Sequence, residues 1–308
     1  MPDTSKHVAV LKGGWSNERE VSLSSGAQCA EALRNAGYRI TEIDVDRAVG
    51  EALAKLKPDV AFNGLHGTGG EDGTIQGLLE VLEIPYTHSG VLASALAMDK
   101  HQAKIAFKAA GIPVTDHVLE DRSVIARGHV MEPPYVVKPI ADGSSYGTFI
   151  VKAGGHPPQE ILREDWRGGD RLMVERYVPG RELTCAVMGE VALGVTEIVT
   201  DLHFYNYEAK YAEGGSKHLV PAPISSNLYR TVQTLSLKAH EALGCRGVSR
   251  TDFRLHELAG DNFNLVCLEL NTQPGMTKTS LVPELARHAG HSFEELVTWM
   301  VEDASCNR

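Results

Sequence analysis

Along the first ninety or so residues, short apolar runs alternate with stretches of helical spacing. His7–Leu11 reads as a strand and is followed by a glycine turn at Gly13 and Gly14. Glu18–Ala36 carries the helical pattern, with Gly37 where a C-terminal cap belongs. Arg39–Val45 alternates like a strand, residues 47–56 read as helix, and Asp59–Leu65 is strand-like again. A glycine-rich loop, His66–Gly73, leads into a helix carrying Ile75, Leu78, Leu79 and Leu82, and Pro85–Tyr86 reads as a short strand. Strands alternating with helices predict a parallel sheet with crossover helices.

Further along, the rhythm changes. Asp99–Ala110 has the pattern of a helix, closed by Gly111 and Pro113. Strand runs dominate after it, at Tyr135–Lys138, Thr148–Val151, Arg171–Arg176, Glu182–Met188 and Val191–Thr200. Residues 201–225 show no periodicity and are rich in aromatic residues, glycine and proline, and a loop that long inside a compact domain is usually functional. An amphipathic helix over Leu228–Leu243 precedes two strands, Val248–Leu255 and Asn264–Leu270, and two C-terminal helices. The changes of pattern near 97 and 180 suggest units of 1–96, 97–180 and 181–308.

The chain has 308 residues, enough for about two domains or three small ones. It is 43% hydrophobic and 23% charged, which excludes intrinsic disorder. Its net charge of −10 argues against nucleic acid as a partner. No run approaches the roughly 18 apolar residues of a membrane span, and the apolar stretch near the start is too short for a signal peptide. Five scattered cysteines without a C-x-x-C read as reduced thiols, so a cytoplasmic location is expected.

Candidate chemistry lies first on the strands SRTDFRL and NLVCLELNT. Residues two apart on a strand share a face. Arg250, Asp252 and Arg254 therefore point one way with Phe253 opposite; Cys267, Glu269 and Asn271 point one way with Val266, Leu268 and Leu270 opposite. If the strands pair as a hairpin, Asp252 meets Glu269 and Asn271, an oxygen-only set suited to a hard cation such as Mg²⁺. The same pattern also fits a solvated sheet face laced with salt bridges. Second, the glycine loop of KPIADGSSYGTFIV, with Lys138 before it and Ser144 and Ser145 within it, suits close approach to a phosphate, though a plain hairpin turn fits too. Its GSSYG also matches the G-x-S-x-G of serine hydrolases, but that motif requires a helix next, and TFIV forms strand. Third, LKGGWSNEREVSL is a glycine turn opening a helix, with Glu18 at its start, a weak signal alone. HEALG and HELAG lack the second histidine of a zinc helix.

Seven segments in order, GGWSNEREVSLSSG, LHGTGGEDGTIQG, MDKHQAK, VVKPIADGSSYG, FYNYEAKY, SRTDFRL and ELNTQPGMTKTSLVPELA, resemble the D-alanine–D-alanine ligases over residues 13 to 286. The resemblance implies an α/β, three-domain ATP-grasp fold with an N-terminal Rossmann-like parallel sheet. It implies transfer of the ATP γ-phosphoryl to the carboxylate of one D-alanine, then attack by the amine of a second. Asp252, Glu269 and Asn271 would hold two Mg²⁺ or Mn²⁺ ions. Lys100 and Lys138 resemble the phosphate-binding lysines, and Ser145 and the lid residue Lys210 resemble further ATP-binding residues. Glu175, Arg176 and Val178 resemble the adenine segment, with Glu182 on the ribose. Glu18 would take the first ammonium with His66 nearby, Arg250 and the Gly275 N–H would stabilise the oxyanion, and Ser280 and Leu281 would contact the second carboxylate. Tyr211, on a lid around 201–218, would link with Ser144 and Glu18 and bias the site towards an amine nucleophile.

Two positions depart from the family pattern, Asn206 in place of Asp and Tyr146 in place of Val. The resemblance also implies a homodimer acting on D-alanine and ATP, with neither nucleic acid nor membrane as partner. A D-alanine–D-lactate or D-alanine–D-serine ligase is the nearest alternative, and a non-catalytic nucleotide-binding module a more distant one.

Overall fold

The computed structural model describes residues 2–143, 146–200, 215–259 and 262–308. In the first of three sheets β1 (His7–Gly13) lies between β2 (Arg39–Val45) and β3 (Val60–Asn63), all parallel. Helices α1 (Arg19–Asn35) and α2 (Val49–Leu56) connect them. The middle strand is apolar on both faces because both are covered. Val8 and Val10 pack with Cys29 and Leu33 of α1, while Ala9 and Leu11 pack with Leu53, Ile75 and Leu79. Next come α3 (Thr74–Val81), α4 (Val91–Met98) and α5 (Lys100–Ala109). Pro85–Tyr86 contributes a parallel bridge from Tyr86 to Ala61. Asp99 caps α5 by accepting from the backbone N–H groups of His101 and Gln102.

The second sheet has the order β4 (His117–Asp121), β7 (Arg171–Arg176), β5 (Tyr135–Pro139), β6 (Phe149–Val151), antiparallel throughout. A short helix, α6 (Arg122–Arg127), closes its core through Ile125 against Tyr135, Val137 and Val174. The strand before the glycine loop pairs with the strand that follows it, as the TFIV run predicts, where the hydrolase motif would require a helix.

The third sheet has the order β10 (Lys217–Leu219), β9 (Val191–Val199), β8 (Arg181–Met188), β11 (Val248–Glu257), β12 (Phe263–Asn271). Helix α7 (Ser226–Ala242) covers one face, packing Leu228, Val232 and Ala239 with Leu183, Cys185, Val195 and Phe253. Two last helices, α8 (Leu281–His288) and α9 (Phe293–Asp303), join the third sheet to the first: Leu285, Val297 and Met300 share a core with Ala186 and Val248 and with Val8 and Val10. Ser292 and Glu295 form a capping box that starts α9.

Four elements escape the periodicity reading. α4 (VLASALAM) is apolar or small nearly throughout, so it has no polar face to reveal it. β4, α6 and β10 are each six residues or fewer, too short for a period to register. β10 also lies inside the stretch read as aperiodic.

Candidate active site

The hairpin of β11 and β12 sets Asp252 opposite Glu269 and Arg250 opposite Asn271, as the face argument anticipates. One part of that argument needs correcting. The register slips between Asp252 and Phe253, so that Phe253 pairs with Cys267 and Arg254 with Val266. This bulge resets the alternation along β12. Cys267 and Leu270 therefore both belong to the core beneath the sheet, while Val266 lies opposite Arg254. Without the bulge, Glu269 would share the core-facing side of Cys267.

On the exposed side, Asp252 is nearly buried and fully engaged. Its Oδ1 accepts from Thr184 Oγ1 at 2.6 Å and from Arg250 Nε at 2.9 Å, and its Oδ2 from Arg250 Nη2 at 2.8 Å and Asn271 Nδ2 at 3.2 Å. Glu269 lies 3.6 Å from Lys100 Nζ. Among the described residues no three His, Cys, Asp or Glu side chains converge as a ready metal cage. Even so, two carboxylates and an amide on one face are oxygen donors of the kind Mg²⁺ takes, and each carboxylate oxygen can accept more than one partner. The residues fit such an ion.

Beside this face is a buried charged network. Lys138, on β5, lies 2.5 Å from Glu175 Oε1, and Lys104, on α5, lies 3.0 Å from Glu175 Oε2. Thr115 Oγ1 donates to Glu175 Oε2 at 2.6 Å and accepts from Lys104 Nζ at 2.8 Å. Burial acts to raise the Glu175 carboxyl, but Lys138 and Lys104 outweigh it and hold it far below the usual carboxylate range. Burial acts to lower the Lys138 ammonium, and Glu175 and Glu269 reverse that, so its affinity for the proton is raised. Glu175 thus points inward, to these lysines. Val178 O accepts from Arg254 Nε at 3.2 Å, and Glu182 accepts from Arg254 Nη1 at 3.4 Å. Arg176 is exposed, its backbone N–H donating to Asp116 O.

A cavity of about 440 Å³ opens next to the β11–β12 face, and it gathers Glu18, His66, Arg250, Gly275, Ser280 and Leu281 around Asn271. Glu18 stands at the N-cap position of α1 without a side-chain cap, and its carboxylate sits so close to Gly67 and Gly143 that a Cβ at either would fall within 2.8 Å of it. Glycine is required there because the first glycine turn, the histidine loop and the glycine loop all converge on one carboxylate. His66 is buried, with Nδ1 3.2 Å from Glu71 Oε1 and Nε2 3.2 Å from Ser25 Oγ. Burial works to lower His66, while Glu71 and Glu18 outweigh it and raise its pKa. Ser280 is the N-cap of α8; its Oγ accepts from Thr277 N at 3.0 Å and lies 2.7 Å from Thr277 Oγ1.

Ser144, Ser145, Asn206, Lys210 and Tyr211 lie outside the described residues. Tyr146, the departure in the glycine loop, stacks on Trp166 with ring centroids 6.3 Å apart. It thereby fastens the far side of the loop to a neighbouring segment. Lys100 Nζ donates to Asp142 O at 2.6 Å, tying α5 to the near side.

Sequence reasoning missed Lys104, Thr115, Glu71 and Gln273. Lys104 had a signal, since it stands one helical turn from Lys100 on the same face of α5. Gln273 had none: it meets Asn63 from a distant part of the chain, accepting from Asn63 Nδ2 at 3.1 Å. His218, whose Nδ1 lies 2.9 Å from Glu284 Oε2, is also in the cavity lining and was not singled out.

Known proteins share this fold and much of this sequence. The solved Bacillus anthracis D-alanine–D-alanine ligase complexed with ATP superposes with a TM-score of 0.80 at 27% identity, covering 97% of each chain. The VanG D-Ala:D-Ser ligase of Enterococcus faecalis superposes with a TM-score of 0.78 at 28% identity, covering 97% of this chain and 99% of that one. The fold is thus the α/β ATP-grasp fold, with a Rossmann-like three-stranded parallel sheet at the N-terminus. The family models for the D-ala D-ala ligase N-terminus and C-terminus match residues 48–89 and 107–302. A curated D-alanine–D-alanine ligase of Parvibaculum lavamentivorans is 62% identical over 304 residues, 98% of this chain and 99% of its own. The chain belongs to the D-alanine–D-alanine ligase family.

Proposed function

We propose that the cavity and the lysine-bearing face beside it are the amino-acid and nucleotide halves of one active site. The protein is an ATP-dependent ligase that joins two D-alanines to D-alanyl-D-alanine through an acyl phosphate, for peptidoglycan precursor synthesis. The observation that carries the site assignment is the shared wall: Arg250 and Asn271, a cross-strand pair, line the cavity, and the next pair on the same face of the hairpin is Asp252 and Glu269.

In this reading Glu18 binds the ammonium of the first D-alanine, with His66 beside it. Lys100 and Lys138 draw the nucleotide phosphates towards the carboxylate of that D-alanine. The γ-phosphoryl moves from the ADP oxygen to the carboxylate oxygen, giving the acyl phosphate and ADP. Ser280 and the N–H of Leu281, at the start of α8, receive the carboxylate of the second D-alanine. Its neutral amine attacks the acyl carbon. Arg250 and the Gly275 N–H stabilise the oxyanion that forms, and phosphate leaves as the amine loses its proton. Asp252, Glu269 and Asn271 would hold two Mg²⁺ or Mn²⁺ ions, whose charge neutralises the phosphates during transfer. Val178 and Glu182 stand beside the face where adenine and ribose would lie, with Arg176 on the same segment. Ser144, Ser145, Lys210 and Tyr211 keep the roles the resemblance implies.

The division at 97 and 180 into three domains, a cytoplasmic location and a homodimer belong to the same reading, with no nucleic acid or membrane partner. No described helix is long and apolar enough to cross a membrane. Incubation with ATP, Mg²⁺ and D-alanine, read by phosphate release and product mass, tests the reaction. D-alanyl-D-alanine with one phosphate per dipeptide is expected, and L-alanine should be a poor substrate. Preferential product from added D-lactate or D-serine would favour the alternative ligases, and phosphate without dipeptide would refute ligation.

A further inference from the structure

The mechanism above leaves one buried lysine unused. Lys104 is only 1% exposed, yet its ammonium is kept in the interior against Glu175 and Thr115. Burying an ammonium is costly, and an apolar side chain of similar length would fill the same space. Neutralising Glu175 does not explain the lysine either, because Lys138 already lies 2.5 Å from its other oxygen. With Lys138 alone the pair would be neutral, and a phosphate oxygen would approach an ammonium whose charge is already matched. Instead two lysines share the one Glu175 carboxylate, and although burial lowers the proton affinity of Lys104, Glu175 works to keep it charged.

We propose that Lys104 is a positioning residue of the nucleotide site: by sharing Glu175, it leaves the Lys138 charge less fully matched for the phosphates of ATP and fixes the carboxylate's orientation. The inference rests on the reading of Lys138 as a phosphate-binding lysine. Thr115 completes it by bonding both Lys104 and Glu175, so that the carboxylate cannot rotate without losing two partners.

The test compares nucleotides that differ in phosphate content, measured by calorimetry on the full-length protein. Lys104→Met should weaken ATP and ADP binding by about tenfold or more, the scale of one charge-assisted contact. Adenosine binding should change less than about twofold, because it offers no phosphate to the cluster. In steady-state assays KM for ATP should rise while KM for D-alanine at saturating ATP holds. Lys104→Arg, which keeps the charge, should retain most of the ATP affinity. Unchanged ATP binding in Lys104→Met would overturn the proposal, and so would equal weakening of ATP and adenosine, which marks mere loosening of the fold. Lys138→Met is the reference: if it leaves ATP binding intact, the phosphate-lysine reading itself fails. Should Lys104→Met not fold, Lys104→Gln, which can keep the hydrogen bond to Thr115 without the charge, takes its place. It should show the same selective loss of ATP and ADP affinity, and unchanged ATP binding in it would overturn the proposal.

Discussion

Lys104 and Lys138 both pair with Glu175 in a buried network, whereas Glu18, Arg250 and Ser280 stand around an open cavity and are brought there by separate elements. In the buried network the charged groups touch at 2.5 to 3.0 Å, packed together before any ligand arrives. Around the cavity, Arg250 is held by Asp252 and His66 by Glu71, leaving a polar space that substrate groups can fill. On the proposed assignment, the contrast teaches that nucleotide recognition would be built into the packing, while amino-acid recognition would depend on where loops and helix ends converge. A charge removed from the first region should damage stability; one removed from the second should damage turnover.

The largest effect is expected from Glu175→Ala, which leaves two buried ammoniums without their carboxylate. Breaking a buried pair in this way costs about 3–5 kcal/mol, measurable as a lower midpoint in chemical denaturation. A near wild-type midpoint would erase the distinction between the two regions. Glu269→Ala should do the opposite. Its side chain is 28% exposed, so the midpoint should hold, while kcat falls by about 10²–10³ through loss of electrostatic stabilisation of the transferring group. Retained turnover at saturating Mg²⁺ would make Glu269 a solvated face residue.

A third test uses pH to separate the cavity from the interior. Burial depresses His88 to about 3 and His240 to about 4. Both are neutral when folded, so their contribution is complete above the unfolded value of 6.5 and is lost as pH falls towards 4 and 3. His66 has the reverse sign: its raised pKa adds stability below 6.5 that disappears as pH rises through the folded value. Unfolding midpoints between pH 3 and 9 should therefore show a shallower acid-side loss in His88→Asn, asparagine tolerating the positive φ of 68° at that position. His66→Asn should lessen the alkaline-side loss instead. The smallest effect is expected from His218→Gln. Its partly exposed contact with Glu284 is worth up to about 1 kcal/mol, so KM for the second D-alanine should rise about two- to fivefold while ATP binding stays constant. Equal changes in both would place His218 outside the amino-acid half.

Much of the site was legible in the chain because its key strands are neighbours. Asp252, Glu269 and Asn271 lie on consecutive strands, so face parity and hairpin pairing were enough to bring them together. The bulge was not legible. A one-residue slip is set by which side chains fill the core, and Cys267 and Leu270 both fit it. Lys104 was half legible, its helix and its spacing from Lys100 being local, its partner Glu175 not.

By itself the sequence determined the local periods: which stretches are helix or strand, where glycine allows a turn, and that the first sheet is parallel. These follow from each residue's own preferences and from neighbours a few positions away. Tertiary structure alone decided which distant groups meet. It set Glu175 between Lys104 and Lys138, brought Glu18 against Gly67 and Gly143, and packed α8 and α9 across to the first sheet. Such contacts depend on how whole faces fill space against one another, and no local pattern encodes the identity of the partner.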